Sequence, residues 1–283
     1  MKAVIPSAGL GSRLLPVTKE FPKEMLPVFF KEDNGNILLK PVLQCIFEQI
    51  YAIGIREFCF IIGRGKRAIE DHFTPDPKFI ELLADRNGRK AAEDLEKFYD
   101  KVRDSSIVFI NQCEPKGFGD AILRAKVFTG DEDFIVHAGD DLVLSQNNNH
   151  IQKIINAFEN SGSDAIFFVK RVRNPQSYGV VKGVEVSRGI FRVEDIVEKP
   201  QKPSSNLAVI AIYLFKPSIY QKIRSLKPDK NGEIQLTDAI RGLITEGKKV
   251  HALELADGKR FDTGSVKSYK EALDFTYRSA SMR

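Results

Sequence analysis

Residues 2–28 read KAVIPSAGLGSRLLPVTKEFPKEMLPV, a short apolar run that passes without a linker into a turn holding Gly9 and Gly11, then into Arg13 and Lys23. The run is apolar at nearly every position rather than at alternate ones, as expected of a parallel strand covered on both faces. Apolar runs of the same type recur at residues 58–63, 107–112, 134–138 and 165–172. Between them the spacing predicts helices over 39–53, with Pro41 near the first turn, 119–128 and 151–160. Strands alternating with helices predict an α/β fold, a doubly wound, mostly parallel, Rossmann-like sheet. In such a sheet the first strand-to-helix turn lines a crevice at the carboxyl ends of the strands.

Two stretches break this rhythm. Residues 76–104 read as a polar helical excursion whose part from 85 to 104 mixes six acidic with six basic side chains, a solvated helix or helical hairpin. Residues 179–215 switch to alternating β patterns with turns near 187–189 and 202–205, read as an antiparallel extension beside the parallel sheet. A last helix over 265–279 places Val266, Tyr269, Leu273 and Tyr277 so as to pack on the body. A chain of 283 residues without a free linker reads as one domain, with a first part of about 1–145, a second of about 146–264 and a C-terminal helix at 265–281.

Composition excludes several classes. A formal charge of +5 from 43 basic and 38 acidic residues is far from the basic stripe of a nucleic-acid binder, so no nucleic-acid partner is expected. Apolar runs stay short of the roughly 18 residues a membrane span needs, and residues 1–9 lack the features of a signal peptide. A cytoplasmic location follows as an expectation. The three cysteines, Cys45, Cys59 and Cys113, are too dispersed for a disulfide framework or zinc site and read as reduced packing residues.

The Gly9–Gly11 turn suits an anion, because backbone amides approach it unhindered while Arg13 and Lys23 add positive charge. Leu14 stands where a dinucleotide fingerprint needs its third glycine, and no Gly-Lys-Ser/Thr follows. A Rossmann oxidoreductase therefore ranks last. Further along come VHAGDDLVL at 136–144, with paired aspartates at a strand end, and RFDTGS at 260–265. YGVV at 178–181, VEKP at 197–200 and SNL at 205–207 follow one another in order, with INQCEPKGFGDAI at 110–122 and GEIQLTDAI at 232–240 completing the set.

GxGxR joined to PKEMLP, with these motifs in this order, resembles the sugar-1-phosphate nucleotidyltransferases from about residue 2 to 269. The PKEMLP spelling and the 76–104 excursion resemble in particular the branch of bacterial-type UTP–glucose-1-phosphate uridylyltransferases. The resemblance implies UTP and glucose 1-phosphate as substrates and Mg²⁺ as cofactor. It implies that Ala8, Gly9 and Gly11 wrap the nucleotide phosphates, that Gln112 and Gly117 hold the base, and that Arg13 and Lys23 neutralise triphosphate and pyrophosphate. Asp140 and Asp262 are the implied magnesium ligands, Asp141 being turned away by the alternation of a strand. Lys199 is implied to hold the sugar phosphate, with Gly179, Glu198, Asn206 and Glu233 around the sugar. His137 is expected to face away from the site as a packing residue. The HAG spelling at 137–139, where the family has an apolar residue and Leu-Pro, leaves the local backbone open, and residues 31–38 look longer than the family turn. A thymidylyltransferase, a uridylyltransferase for another sugar, a non-catalytic sugar-nucleotide sensor and a homo-oligomer stay open on these residues.

Overall fold

The structure is a computed structural model that describes every residue except 32–34, 87, 146–147 and 283. In chain order it runs β1 (Lys2–Pro6), β2 (Pro27–Lys31), β3 (Ile37–Pro41), α1 (Val42–Ala52), β4 (Glu57–Ile62), α2 (Arg67–His72), α3 (Pro77–Asp85), α4 (Arg89–Arg103), β5 (Ser106–Asn111), α5 (Gly117–Arg124) and α6 (Lys126–Thr129). It continues with β6 (Phe134–His137), β7 (Asp141–Ser145), α7 (His150–Ser161), β8 (Ala165–Arg171), β9 (Gly179–Ser187), β10 (Ile190–Glu198), β11 (Leu207–Phe215), α8 (Ile219–Ser225), α9 (Leu236–Thr245), β12 (Val250–Glu254), β13 (Gly258–Asp262) and α10 (Val266–Ser281).

Nine strands form the central sheet in the order β5-β4-β1-β6-β11-β8-β12-β10-β9. The first four are mutually parallel. Their side chains alternate between two cores, which explains the unbroken apolar runs. Ala3 and Ile5 of β1, Phe58 and Phe60 of β4 and Ile135 of β6 serve one core with α1 and α7, while Val4, Cys59, Ile61, Phe134 and Val136 serve the other with α5, α8 and α9. The carboxyl ends of all four strands consequently open on one edge.

The α/β class read from the sequence holds, with differences of placement. β9 and β10 extend the sheet as expected, but β11 lies inside it, antiparallel to both β6 and β8. Its sequence LAVIAIYLF is apolar on both faces and buried at all but one position, so it needs neighbours on both edges and cores above and below. Residues 37–41 are a strand pairing with β2, and α1 starts only at Val42, where Pro41 ends the extended run. The 76–104 excursion is the helical hairpin α3–α4, and the 31–38 turn falls partly outside the described residues. On α10 the packing face is Ala272, Thr276 and Ala280, flanked by partly buried Tyr269, Leu273 and Phe275; Val266 and Tyr277 face outward. Small residues win that face because α10 lies against β2 and β13. Cys45 and Cys59 are buried packing residues, whereas Cys113 is exposed on the loop after β5. No helix among the described residues is long and apolar enough to cross a membrane.

Three imidazoles are interior. His72 is bonded to Gln44 (3.1 Å) and stacked on Phe98, His150 is bonded to Ser145 (2.8 Å), and His137 is fully buried with Nδ1 donating to the Ala138 carbonyl. Burial pushes His72 down to about 4 and His150 to about 3, and lowers His137 as well. Below about pH 6.5 the unfolded chain takes up protons that the native chain refuses, so stability falls as pH falls through that value. His72 and His150 together should remove about 2 kcal/mol between pH 7.5 and 6. Urea unfolding at the two pH values measures this, and equal free energies would contradict it.

Candidate active site

The parallel strand ends assemble the first part of the site. After β1 the Ser7 amide bonds the Ile61 carbonyl of β4 (2.7 Å), and the Gly139 amide bonds the Pro6 carbonyl (3.0 Å). Gly139 must lack a side chain, since a Cβ there would stand 2.3 Å from Ser7 Oγ. That resolves the HAG spelling: the chain turns tightly over β1 without needing proline. Gly11 has φ +68°, and a Cβ on it would press on Thr18, whose hydroxyl donates to the Gly11 carbonyl (2.8 Å).

Lys23 reaches from the short turn Lys23–Met25 to Asp140 Oδ2 at 2.5 Å. Burial by itself would raise the Asp140 carboxyl, but the Lys23 ammonium, with help from Arg260 and a backbone hydrogen bond, holds the group below its ordinary value. Lys23 is raised in turn, its neighbours Asp140 and Glu24 exceeding the cost of burial. Glu24, 1% exposed, pairs with Lys66 at 2.7 Å under the same loop; burial raises its carboxyl against the pull of Lys66.

The second aspartate arrives through a separate two-stranded ladder. β13 pairs with β7 so that Asp262 stands opposite Asp141, and the Thr263 amide and hydroxyl bond the Asp140 carbonyl (3.0 and 2.9 Å). A Cβ on Gly264 would stand 2.5 Å from Arg13 Nη2, 2.8 Å from Asp262 Oδ1 and 3.2 Å from Asp140 Oδ2, so the guanidinium and both carboxylates converge there. Arg13 approaches the same place, 3.8 Å from Asp262. Among the described residues no cluster of three or more His, Cys, Asp or Glu side chains forms a metal cage. Two convergent carboxylates nevertheless fit Mg²⁺, which commonly takes one or two carboxylates and fills its octahedron with phosphate oxygens and water.

Two compartments meet at Asp140, Lys23 and Arg13. The first, about 400 Å³, is lined by the 8–13 loop, Gln112, Gly117, Phe118 and Glu233. Gln112 is 6% exposed, and its Nε2 donates to the Gly117 carbonyl (3.1 Å) and to Asp120 (2.7 Å), itself held by Arg124 (3.0 Å). Both amide hydrogens are thus committed and Oε1 is left as an acceptor.

The second compartment, about 890 Å³, holds Gly179, Glu198, Lys199 and Tyr178. Gly179 and Glu198 are cross-strand partners in the β9–β10 ladder, and a Cβ on Gly179 would sit 3.0 Å from Thr237 and 3.3 Å from Glu198. Lys199 has φ +41°, a left-handed conformation costly for a side-chain residue, fixed by its amide on the Tyr178 carbonyl (3.0 Å). Its ammonium lies 3.4 Å from Glu198. Of the expected residues only Asn206 stays away: it is exposed and turned to Arg171 at 3.5 Å, because its carbonyl is already paired with the Val172 amide at the end of β8.

Sequence reading missed Glu24, Lys66, Asp120 and Arg260. Arg260 carried a usable signal, since it precedes Asp262 by two residues on a strand and so shares its face. Its Nε binds both oxygens of Asp141 (2.6 and 2.9 Å), which accounts for the second aspartate of the pair.

Residues 2–279 match the Nucleotidyl transferase family. A Bacillus subtilis (strain 168) protein named UTP–glucose-1-phosphate uridylyltransferase is 37% identical over 287 residues, covering 100% of this chain and 93% of that one. The crystal structure of an apo UDP-glucose pyrophosphorylase superposes with a TM-score of 0.88 at 32% identity, covering 98% of each chain. A UDP-glucose pyrophosphorylase complexed with UDP-glucose does so with a TM-score of 0.84 at 31% identity, again over 98% of both.

Proposed function

We propose, from the premise that this chain belongs to the nucleotidyl transferase family, that it transfers a uridylyl group from UTP to glucose 1-phosphate and releases UDP-glucose and pyrophosphate. The observation that carries this reading is the pair of compartments joined at Asp140 and Lys23, one ending on a fixed glutamine and the other on Glu198. The names of its relatives supply the two substrates. Their small, charged character suits a cytoplasmic enzyme.

A sugar phosphate is already close to a dianion at neutral pH, its second pKa being about 6, so the attack on the α-phosphorus needs no enzyme base. What the protein must do is hold anions together in line. Lys199 holds the attacking phosphate, Glu198 accepts from sugar hydroxyls beside Gly179, and the amides of residues 8–11 with Arg13 and Lys23 take the triphosphate and the departing pyrophosphate. Mg²⁺, held by Asp140 and Asp262 with phosphate oxygens, would supply further neutralisation of charge at the reacting phosphate.

Gln112 supports a base with an N3–H, because only its acceptor is free. Uracil and thymine have that donor and cytosine lacks it. Gln112→Ala should raise the KM for UTP about tenfold, the worth of a lost buried hydrogen bond, and leave the sugar-phosphate KM alone. A rise in the sugar-phosphate KM alone would remove Gln112 from the base site. Pyrophosphate release tests the whole reading, with UTP, dTTP and CTP each offered glucose, galactose and N-acetylglucosamine 1-phosphates in the presence of Mg²⁺. UTP with glucose 1-phosphate should be fastest; no release from any pair would overturn it.

A further inference from the structure

One cation in the sugar-side compartment has no part in that scheme. Arg260 leaves β13 on the face of Asp262 and lines the compartment, its guanidinium carbon 5.3 Å from the centre of the Tyr178 ring. Its Nε is fixed on Asp141, and Asp141, 3% exposed, is fixed in turn by the Ala211 amide at 3.2 Å. No side chain or carbonyl among the described residues accepts from its two terminal nitrogens, and neither nitrogen is sealed from solvent.

The other three cations lining this compartment are placed differently. Lys23 is committed to Asp140, while Lys199 and Arg13 have side chains 63% and 62% exposed, against 16% for Arg260. Five carboxylates, Asp140, Asp141, Glu198, Glu233 and Asp262, face the same space and would repel a dianion. A guanidinium already oriented by a carboxylate presents a planar fork that matches phosphate oxygens and loses little freedom on binding.

We propose that Arg260 binds the phosphate of the incoming sugar 1-phosphate through its terminal nitrogens, with Asp141 as the positioning residue that aims it. This rests on reading the compartment as the sugar-phosphate site.

Because Arg260→Gln alone strands the Asp141 charge, the test pairs it with Asp141→Asn, which keeps a neutral hydrogen-bonded couple; Arg260→Lys is the conservative companion. Thermal melts establish folding, steady-state kinetics separate the two KM values, and calorimetric titration measures glucose 1-phosphate binding directly. The double variant should show a KM and Kd for glucose 1-phosphate raised at least about 30-fold, a UTP KM within about threefold of wild type, and a loss of the gain in affinity that wild type shows as the phosphate becomes a dianion above about pH 6. Arg260→Lys should recover part of the binding. A folded double variant with unchanged glucose 1-phosphate affinity, or equal rises in both KM values, would overturn the proposal. If wild type binds glucose 1-phosphate through Arg260 but releases no pyrophosphate, the proposed reaction fails and the phosphate site stands.

Discussion

Asp140→Asn is expected to lower kcat about a thousandfold, and Asp262→Asn to do the same, while the chain stays folded. A factor of that size corresponds to about 4 kcal/mol of transition-state stabilisation, within what a metal and its carboxylates supply to phosphoryl chemistry. The geometry motivates both substitutions, since the two carboxylates converge on one point above Gly264. The fold should survive because the contacts that join the two loops run through the backbone, from Thr263 to the Asp140 carbonyl, and an asparagine Oδ1 can still accept from the Gly264 amide as Asp262 does (2.8 Å). Turnover and circular dichroism of each variant, with the wild type assayed in EDTA, provide the check. Near-normal wild-type turnover in EDTA would remove the metal from the scheme, and a variant that keeps its activity would remove that carboxylate.

Beyond its effect on sugar-phosphate binding, Asp141→Asn should lower stability by about 3 kcal/mol. Asp141 is buried and Arg260 is mostly so, and removing the negative partner leaves a guanidinium in a poorly solvated place. The value sits at the low end of the range for a broken buried pair because the far end of Arg260 reaches the cleft. The double variant with Arg260→Gln should recover most of the loss, since replacing both charges removes the uncompensated one. Urea unfolding of the two single variants and the double measures the coupling; additive losses would show that the pair contributes nothing as a pair.

The neighbouring aspartates at 140 and 141 thus illustrate what one sequence can and cannot disclose. Alternation along a strand predicted that Asp141 turns away from Asp140, yet both line the sugar-side compartment, Asp140 held by Lys23 and Asp141 by Arg260 opposite Asp262. It could not say that Asp141 meets Arg260, because the partner lies 119 residues away and is delivered by the β7–β13 ladder. Asn206 shows the converse: it sits in a motif of the right order, yet a backbone pairing at the end of β8 turns its side chain toward Arg171.

Local signals determined the alternation of buried strands with helices, the tight turn at Gly9 and Gly11, the polar helical character of 76–104 and the residue types at each end of the cleft. These depend on spacing and on backbone freedom, which are properties of neighbouring residues. Tertiary structure alone decided that β11 enters the middle of the sheet, that Gly139 lets the chain pass within contact of Ser7, that Asp120 fixes the Gln112 amide, and that Asp262 and Asp140 face one point. The reason is that each of these is a contact between segments far apart in sequence, selected by burial on two faces and by pairing across strands. No periodicity within a single segment records which distant segment will satisfy it.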